Sequence, residues 1–299
     1  MLNIYTPTFN RIDSLKKLYN SLLNQNNKNF KWWIIDDGSV DDTRVNVEKW
    51  VTERKIDIEY LYQKNQGKAE AINSILPLVY NTWHCCIDSD DVLLENSSLD
   101  ILIEDIKSFE NENNNYVGLV YPAVYGSVNF KIDKENRTGL RVNAWKVSND
   151  IDGIKESLRV FRPFVFENIR FPKFESENFV PESVVYIEVA KIGDLLYKPY
   201  PLTKGEYRDD GLTKNLVSLI KNNPKGYKLN LESTINFLKT TKQNKAILNK
   251  TKCIIKLQAI NMYLKININD GLNDKILWKV LVPISFIYYR SILRGNYDE

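Results

Sequence analysis

Short apolar runs alternate with longer amphipathic segments along the first third of the chain. The runs Leu2–Thr6, Phe30–Ile35 and Ile58–Tyr62 each end in polar or small residues, which is typical of buried strands bounded by turns. Each run is followed by a segment in which apolar residues recur at helical spacing. The first of these segments carries Ile12, Leu15, Leu18, Tyr19, Leu22 and Leu23. The pattern therefore predicts a succession of strand–helix pairs.

A further apolar run, within Trp83–Leu94, stops at the carboxylates of Asp88, Asp90 and Asp91 before the chain turns apolar again. Apolar residues at helical spacing then continue over Leu99–Phe109. Repeated strand–helix alternation predicts an α/β fold, with right-handed βαβ crossovers and a largely parallel sheet between layers of helices. Ligands of such open sheets bind at the carboxyl ends of the strands, so we expect the three acids at the ligand-binding edge.

The alternation breaks down in the middle of the chain. Val117–Tyr125 is predicted as a strand, and Pro122 within it favours an edge strand or a bulge. The polar, irregular segment Asn129–Val147 indicates a loop or hairpin beside the site. Pro181–Ser183 is typical of a helix start with an acid in the first turn, and Leu195–Thr203 is predicted as a late strand.

Beyond Leu216 the pattern is helical. The last apolar segment, Ile276–Leu293, is rich in aromatic residues, is broken by Pro283 and is flanked by Lys and Arg. Aromatic residues beside basic ones favour peripheral contact with a membrane interface. The alternative is a terminal helix that docks on the rest of the protein. No apolar stretch reaches the roughly 18 residues that a bilayer span requires.

Composition narrows the function classes. The chain has 299 residues, 43% hydrophobic and 26% charged, with a formal net charge of +3. Such a small charge argues against a nucleic-acid partner. Cys85 and Cys86 are adjacent on an apolar run, which favours small buried hydrophobes over a disulfide or metal site. The start of the chain lacks the pattern of a signal peptide. We therefore expect a cytoplasmic protein.

The acid cluster itself indicates chemistry. Carboxylates as close as those of Asp88, Asp90 and Asp91 repel one another unless a cation or a donor-rich ligand compensates them. An Asp-x-Asp sequence after a buried strand therefore predicts a site for a divalent cation shared with a substrate phosphate. The alternative is a solvated acidic turn in which Ser89 and Asp90 cap the next helix.

Each of the first four strand ends carries its own motif. These motifs are IYTPTFNR at the first strand, IIDDGSVDDT at the second, NQGKAEAIN at the third and CIDSDD at the fourth. In this order they resemble the inverting glycosyltransferases of family two, which have the GT-A fold. The segment ENFVPES extends the resemblance into the middle of the chain. EYRDDGLTKN is similar to a late motif of bacterial family-two enzymes that build surface polysaccharide. The first four motifs cover about the first third of the chain.

The resemblance implies a domain organisation. A GT-A catalytic domain, with a Rossmann-like, mostly parallel sheet flanked by helices, is expected over 1–215. Its nucleotide-sugar half covers about 1–125 and its acceptor half about 126–215. A C-terminal helical region is expected over 216–299.

The resemblance also implies a nucleotide site at the strand ends. Asp37 matches the acid that hydrogen-bonds the nucleotide base, with Asp36 beside it, and Lys68 would offer a cation to the base or the diphosphate. An ordinary turn is the alternative for Asp36–Ser39. The complete nucleotide-binding set is Thr6, Pro7, Thr8, Asn10, Asp36, Asp37, Lys68, Asp88 and Ser89.

Asp88 and Asp90 match the Asp-x-Asp pair that, in the family, holds the ribose and a Mn²⁺ or Mg²⁺ ion bound to the diphosphate. Asp90 is the expected direct metal ligand. A divalent cation would stabilise the charge that develops on the leaving nucleoside diphosphate. Asp91 is expected to cap the following segment instead.

An inverting transfer also requires a base for the acceptor hydroxyl. The only histidine, His84, precedes the cysteine pair and is expected to be buried in the strand. A carboxylate is therefore expected, and Glu182 best matches the motif. Glu177 is the nearby alternative, and Asp209 and Asp210 stay open.

The sequence thus predicts a metal-dependent inverting glycosyltransferase that uses a nucleotide-sugar donor, with a UDP-sugar first. The expected acceptor is a carbohydrate or lipid-linked molecule in surface-polysaccharide synthesis, reached at the inner face of the cell membrane. A homo-oligomer is compatible with this function. The alternatives are a nucleotidyltransferase and a non-catalytic nucleotide-binding subunit of the same fold. Dehydrogenases and P-loop enzymes are disfavoured because neither glycine-rich motif occurs.

Overall fold

The computed structural model describes residues 1–111, 116–125, 140–144, 156–205, 216–240, 246–268, 270 and 275–294. The strands are β1 (Leu2–Thr8), β2 (Phe30–Asp36), β3 (Asp57–Tyr62), β4 (His84–Cys86), β5 (Asp91–Leu93), β6 (Gly118–Tyr125), β7 (Leu140–Asn143), β8 (Ser157–Phe161), β9 (Asp194–Tyr197) and β10 (Thr203–Gly205). The helices are α1 (Ile12–Leu23), α2 (Thr43–Glu53), α3 (Lys68–Val79), α4 (Ser98–Asn111), α5 (Ser183–Ile192), α6 (Leu216–Asn222), α7 (Pro224–Thr240), α8 (Ala246–Tyr263) and α9 (Lys275–Tyr288). A π-helical turn, Tyr289–Arg294, follows α9.

The chain divides into two compact units. The first comprises Met1–Arg170 and Glu188–Arg208, and it holds the described strands together with α1 to α4. The second comprises Phe171–Ile187 and Asp209–Glu299, and it holds α6 to α9.

One sheet organises the first unit, with strand order β3-β2-β1-β4-β8-β6-β10-β5. The pairs that join β1 to β2, β2 to β3 and β1 to β4 are all parallel. This part of the sheet confirms the predicted α/β fold. Beyond β4 the sheet becomes mixed, because β8 runs antiparallel to both β4 and β6.

Aromatic residues fill the core between the sheet and its helices. Tyr19 of α1 stacks on Trp50 of α2, with ring centroids 4.2 Å apart and an interplanar angle of 5°. Trp32 of β2 is fully buried beside them. Its indole N–H donates to Thr6 Oγ1 at 2.9 Å, which satisfies the one polar group of this large side chain. The amphipathic helix that the sequence predicts after β1 thus buries its apolar face as expected.

β6 corrects the interpretation of Pro122. The strand is not at an edge, because β8 pairs along one side of it and β9 and β10 pair along the other. Pro122 faces Ser157 of β8 and lies between the last residue that pairs with β9, Val120, and the first that pairs with β10, Ala123. A residue without an N–H is tolerated there because neither parallel neighbour needs its hydrogen bond.

Two further strand predictions change. The predicted strand Leu195–Thr203 is split into β9 and β10, since Pro199 and Pro201 lack the N–H groups that a continuous ladder requires. β8 was not predicted as a strand. Of the predicted loop Asn129–Val147, the structure describes Leu140–Ala144, which include β7; the rest lies outside the described residues.

Beyond Leu216, the described residues of the second unit form the helices α6 to α9 and the π-helical turn, as the helical pattern of the sequence predicts. Its core consists of aliphatic side chains from α6 to α9 and the π-helical turn, with Ile235, Ile254 and Leu257 almost inaccessible. In the part of the chain that is described, no helix is both long enough and apolar enough to cross a bilayer.

Candidate active site

The predicted nucleotide-binding residues of the first unit lie at one edge of the sheet. Thr8 pairs in register with Asp36, and Tyr5 pairs with Cys86 on the other side of β1. Because the three strands are parallel, their carboxyl ends open on the same edge. The loops that follow β1, β2 and β4 therefore converge, as the alternation of strands and helices predicts.

Asp36 shapes the loop after β2. Its carboxylate is buried and accepts hydrogen bonds from the Ser39 N–H at 2.8 Å and from the Tyr60 hydroxyl at 2.6 Å. Burial, followed by the hydrogen bond to Asp36, raises the pKa of Tyr60, so this phenol stays a neutral donor. Both oxygens of Asp36 are thus engaged within the protein.

Asp37 joins the loop after β2 to the loop before α3. It accepts hydrogen bonds from Gln63 Nε2 at 2.7 Å, from the Gln66 N–H at 2.9 Å and from the Gly67 N–H at 2.8 Å. A carboxylate offers about four lone-pair sites. Within the described part of the chain these three bonds leave one acceptor position, which suits a single hydrogen bond from a ligand.

Gly38 and Asn10 hold these loops in place. Gly38 has a φ of +86°, and a Cβ there would lie 2.8 Å from the Asn65 backbone nitrogen, so a larger residue cannot be accommodated without movement. Asn10 Oδ1 accepts from the Val40 N–H at 2.8 Å, and the Asn10 N–H donates to Ser39 Oγ at 2.9 Å. Asn10 therefore acts within the scaffold of the site.

The threonines of β1 have different surroundings. Thr6 Oγ1 donates to the Ile87 carbonyl at 2.8 Å and accepts from Trp32 Nε1, so this hydroxyl is directed into the core. Thr8 Oγ1 is buried and has no hydrogen-bond partner among the described residues. Pro7, between them, pairs with Ile35 of β2. A buried hydroxyl without a partner is costly, so Thr8 differs from Thr6 in having an unsatisfied hydroxyl within the described part of the chain.

Each acid that follows β4 has its own partner. Lys68 Nζ lies 2.8 Å from Asp88 Oδ2. An Arg11 guanidinium nitrogen lies 3.6 Å from Asp90 Oδ2. Lys68 and Asp88, both predicted as site residues, are thus brought together. Arg11 was missed, although it ends the first motif of the sequence.

Burial and neighbouring carboxylates raise the pKa of two of these acids, Asp90 and Asp91. Burial is the first cause of a raised pKa at Asp90, and repulsion from Asp88 is the second. The same two causes raise the pKa of Asp91 to about 7. Ser89, between the paired acids, is buried. Holding these carboxylates close together has an electrostatic cost. A bound cation would relieve that cost.

Asp91 does not cap a helix. It opens β5, and α4 begins only at Ser98, so neither the capping role of Asp91 nor the helix-capping turn of Ser89 and Asp90 is correct. Asp91 Oδ1 accepts from the Tyr125 hydroxyl at 2.6 Å, a partner that sequence reasoning missed because it comes from β6. Gly205 of β10 pairs with both residues, and a Cβ there would lie 2.2 Å from Asp91 Oδ1.

The chemistry of the acids fits a shared divalent ion. Asp88 and Asp90 offer only oxygen ligands, which Mn²⁺ and Mg²⁺ accept. Within the described ranges, no group of three or more His, Cys, Asp or Glu side chains could by itself hold a metal ion. An ion at these two carboxylates would therefore need additional ligands, which a diphosphate and water can supply.

A groove of about 730 Å³ in the first unit reaches Asp90. It is lined by polar side chains of α1, including Lys17 and Asn20, by Lys204 of β10 and by apolar residues such as Val92 and Val124. Asp90 is thus open to a space large enough for a sugar, as a carboxylate that contacts a ligand must be.

His84 is buried in β4, as predicted. Its Nδ1 donates to the Thr82 carbonyl at 2.9 Å, and the rings of Tyr5, Phe161 and Phe166 surround it. Nε2 is buried without a partner among the described residues. Burial lowers the pKa of His84 to about 4, so the imidazole is neutral at physiological pH.

Comparison with known proteins identifies the family. A family model described as glycosyl transferase family 2 matches residues 3–168, more than half of the chain. The chain belongs to glycosyltransferase family 2. This confirms the family and the enzyme class predicted from the strand-end motifs.

Two relatives illustrate how far the similarity extends. An uncharacterized glycosyltransferase of Rickettsia bellii is 25% identical over 185 residues, which cover 61% of this chain and 24% of that protein. TuaG of Bacillus subtilis, a putative teichuronic acid biosynthesis glycosyltransferase, is 29% identical over 92 residues, which cover 30% of this chain and 36% of that protein. The chain thus spans well under half of the length of these curated relatives.

Solved structures confirm the GT-A fold. S. aureus TarS 1-349 in complex with UDP-GlcNAc matches 98% of this chain and 90% of its own, with a TM-score of 0.59 at 14% identity. Mannosyltransferase PcManGT from Pyrobaculum calidifontis, in complex with GDP-Man and Mn²⁺, matches 98% of this chain and 83% of its own, with a TM-score of 0.54 at 14% identity. At such identity the similarity concerns the fold alone.

The two base candidates of this family-2 chain lie in the second unit and differ in their contacts. Glu177 accepts from the Lys225 N–H at 2.9 Å and from the Gly226 N–H at 2.8 Å, so both of its oxygens cap the start of α7. Glu182 directly precedes α5 and accepts from the Tyr186 hydroxyl at 3.1 Å. Because both oxygens of Glu177 are used to cap α7, Glu182 is the stronger candidate for the catalytic base. Asp209 and Asp210 lie outside the described residues.

Proposed function

We propose that this family-2 glycosyltransferase is a metal-dependent inverting enzyme that transfers a sugar from a nucleotide-sugar donor. A UDP-sugar is the first candidate for this donor. The observation that carries the proposal is the convergence of Thr8, Asp37, Lys68 and the Asp88–Asp90 pair at one edge of the sheet. The TarS complex with UDP-GlcNAc and the mannosyltransferase complex with GDP-Man have the same fold, which supports a nucleotide-sugar donor.

The donor nucleotide would meet groups that the protein already holds in position. The remaining acceptor site of Asp37 suits a base N–H, and the Thr8 hydroxyl can donate to or accept from the nucleotide. Lys68 is paired with Asp88, and Arg11 is paired with Asp90. The same cations can turn to the phosphate oxygens, where charge-assisted hydrogen bonds are strongest.

Asp90, with Asp88 beside it, would hold a Mn²⁺ or Mg²⁺ ion. When bound, the ion would neutralise charge that develops on the departing nucleoside diphosphate. The raised pKa of Asp90 supports this assignment, because burial and the neighbouring Asp88 disfavour its charge, and a cation would favour it. The Mn²⁺ of the mannosyltransferase complex is consistent with this cofactor.

Glu182 is the proposed base. Its carboxylate would take the proton of the acceptor hydroxyl while that oxygen attacks the anomeric carbon. The new glycosidic C–O bond forms as the bond to the diphosphate breaks on the opposite face, which inverts the configuration. The proposed catalytic domain covers 1–215, and 216–299 is its helical extension.

We propose that the acceptor is a carbohydrate or a lipid-linked molecule in cell-surface polysaccharide synthesis, used at the inner face of the cell membrane. The biosynthetic process in the name of TuaG supports this class of acceptor. Recovery of the full chain in the membrane fraction of the producing cell would agree with the location. Recovery entirely in the supernatant at low ionic strength would contradict it.

Calorimetric titration of UDP and GDP, each with Mn²⁺ and with EDTA, tests the donor site. We expect Mn²⁺-dependent binding of UDP, and we expect Asp90→Ala to weaken it by more than about tenfold, the loss seen even when outer-shell residues of metal sites are changed. Asp13→Ala is the matched control, because this carboxylate of α1 is 93% exposed and makes the same change of charge.

Each outcome has a distinct meaning. Tighter binding of GDP keeps the enzyme class and changes the donor. Absence of Mn²⁺-dependent binding for both nucleotides refutes the assignment of Asp88 and Asp90. Release of pyrophosphate from a sugar phosphate and UTP indicates a nucleotidyltransferase, whereas nucleotide binding without hydrolysis or transfer of any UDP-sugar indicates a non-catalytic subunit.

A further inference from the structure

Helix α9 packs against the core of the second unit through one of its faces. Leu281 and Ser285 are buried on this face. The Ser285 hydroxyl donates to Gln258 Oε1 of α8 at 2.7 Å, a buried hydrogen bond that fixes the rotation of α9 about its axis. The residues on the opposite face are therefore presented to the surroundings in a defined orientation.

That opposite face is apolar. Val280, Ile284 and Ile287 follow one another at helical spacing and are 69%, 50% and 66% exposed, and Phe286 beside them is 45% exposed. A helix with one face packed on its neighbours normally carries polar residues on the other. A contiguous apolar stripe on a defined face instead marks an interaction surface.

The charge of the same segment is one-sided. Residues 275–294 include Lys275, Lys279, Arg290 and Arg294 and no Asp or Glu. Lys279 and Arg290 are exposed. The Arg290 guanidinium lies 5.2 Å from the centre of the Phe286 ring, so this basic group borders the apolar stripe directly.

The apolar stripe and the basic residues beside it distinguish between two possible partners of α9, a second copy of this chain and a lipid surface. Two copies of this segment face to face would bring cations together with no acid within 275–294 to compensate them, which opposes a symmetric dimer. An anionic lipid surface offers both a boundary for aliphatic side chains and phosphates for Lys and Arg.

We propose that α9 lies on an anionic lipid surface. In this position Val280, Ile284 and Ile287 enter the boundary between headgroups and acyl chains, while Lys279 and Arg290 contact lipid phosphates. The inference deepens the membrane location under the proposed function. Its physical basis, the exposed face of α9, is independent of the nucleotide site.

Vesicle flotation of the full chain tests the proposal. The vesicles are pure phosphatidylcholine, or phosphatidylcholine with phosphatidylglycerol at about 30 mol%, a fraction chosen to give a clear negative surface potential. We expect binding to the anionic vesicles, weakened by salt, and little binding to the neutral ones. Ile284→Ser/Ile287→Ser should reduce partitioning about tenfold or more, because two aliphatic side chains no longer enter the interface.

Val45→Ser/Val51→Ser is the matched control, since both valines are exposed on α2, where Glu48 and Glu53 accompany them. It should float as the wild type does. Absence of wild-type binding to anionic vesicles, or equal binding by the Ile284/Ile287 variant with unchanged circular dichroism, overturns the proposal. A wild-type dimer that becomes monomeric in this variant also overturns it, because the stripe then covers a second copy. Nucleotide titration of the same samples reports separately on the proposed function.

Discussion

The single histidine gives a sharp test of the physical description of the core. His84 is buried among aromatic rings, donates to the Thr82 carbonyl and has a buried Nε2 without a partner among the described residues. Protonation would place a charge at Nε2 with no acceptor to receive it. This is why burial lowers the pKa of His84 from 6.5 to about 4.

The lowered pKa makes the free energy of unfolding depend on pH. Between pH 6.5 and pH 4 the unfolded chain binds a proton at His84 that the folded protein does not bind, so stability falls as the pH falls. Each pH unit is worth about 1.4 kcal/mol. The complete effect is therefore about 3 kcal/mol, absent above pH 6.5 and fully developed below pH 4.

Urea unfolding of the wild type and of His84→Phe, at several pH values from 4.5 to 7.5, measures this dependence. Loss of the bond to Thr82 gives the variant a constant offset, whereas the titration of His84 changes the difference between the two proteins as pH falls. The wild type should lose about 2.5 kcal/mol relative to the variant by pH 4.5, the lower end of this range. Carboxylates that titrate in the same range cancel in the comparison.

Proton NMR offers a direct control, because the chain contains one histidine and hence one imidazole Hε1 signal in the folded state. The reasoning fails if this signal titrates near pH 6.5. It also fails if the stability difference between wild type and His84→Phe is the same at every pH.

Two further pairs of variants test other contacts. Asp105→Ala should lower the free energy of unfolding by about 3–5 kcal/mol, because it leaves Lys198, 3.2 Å away in the core, without its counter-ion. Asp100→Ala on the same helix is the control and should change stability much less. Equal losses of stability for the two variants in a urea titration would contradict this account. Glu182→Gln should reduce kcat with any accepted UDP-sugar by more than about 100-fold at unchanged nucleotide affinity. Glu177→Gln should instead mainly lower Tm, by loss of the α7 cap; the opposite pattern would exchange the two roles.

Much of the first unit was determined by local sequence. Strand and helix periodicities predict β1 to β4 and the helices after them, because a buried strand needs a continuous apolar run and an amphipathic helix needs apolar residues at helical spacing. The acids at the end of β4 and the loop Asp36–Ser39 were predictable in the same way, since parallel strands deliver their carboxyl-terminal loops to a common edge.

The tertiary structure decided what these residues contact. The position of Asp91 in the sequence suggests a helix cap, but Asp91 begins strand β5 and accepts a hydrogen bond from the Tyr125 hydroxyl. Tyr125 is distant from it along the chain. Pro122 looks like an edge signal, yet it lies where β6 changes partners. Pairings of this kind depend on which distant strands become neighbours. Local periodicity carries no information about that choice, because it reports only which face of a segment is buried.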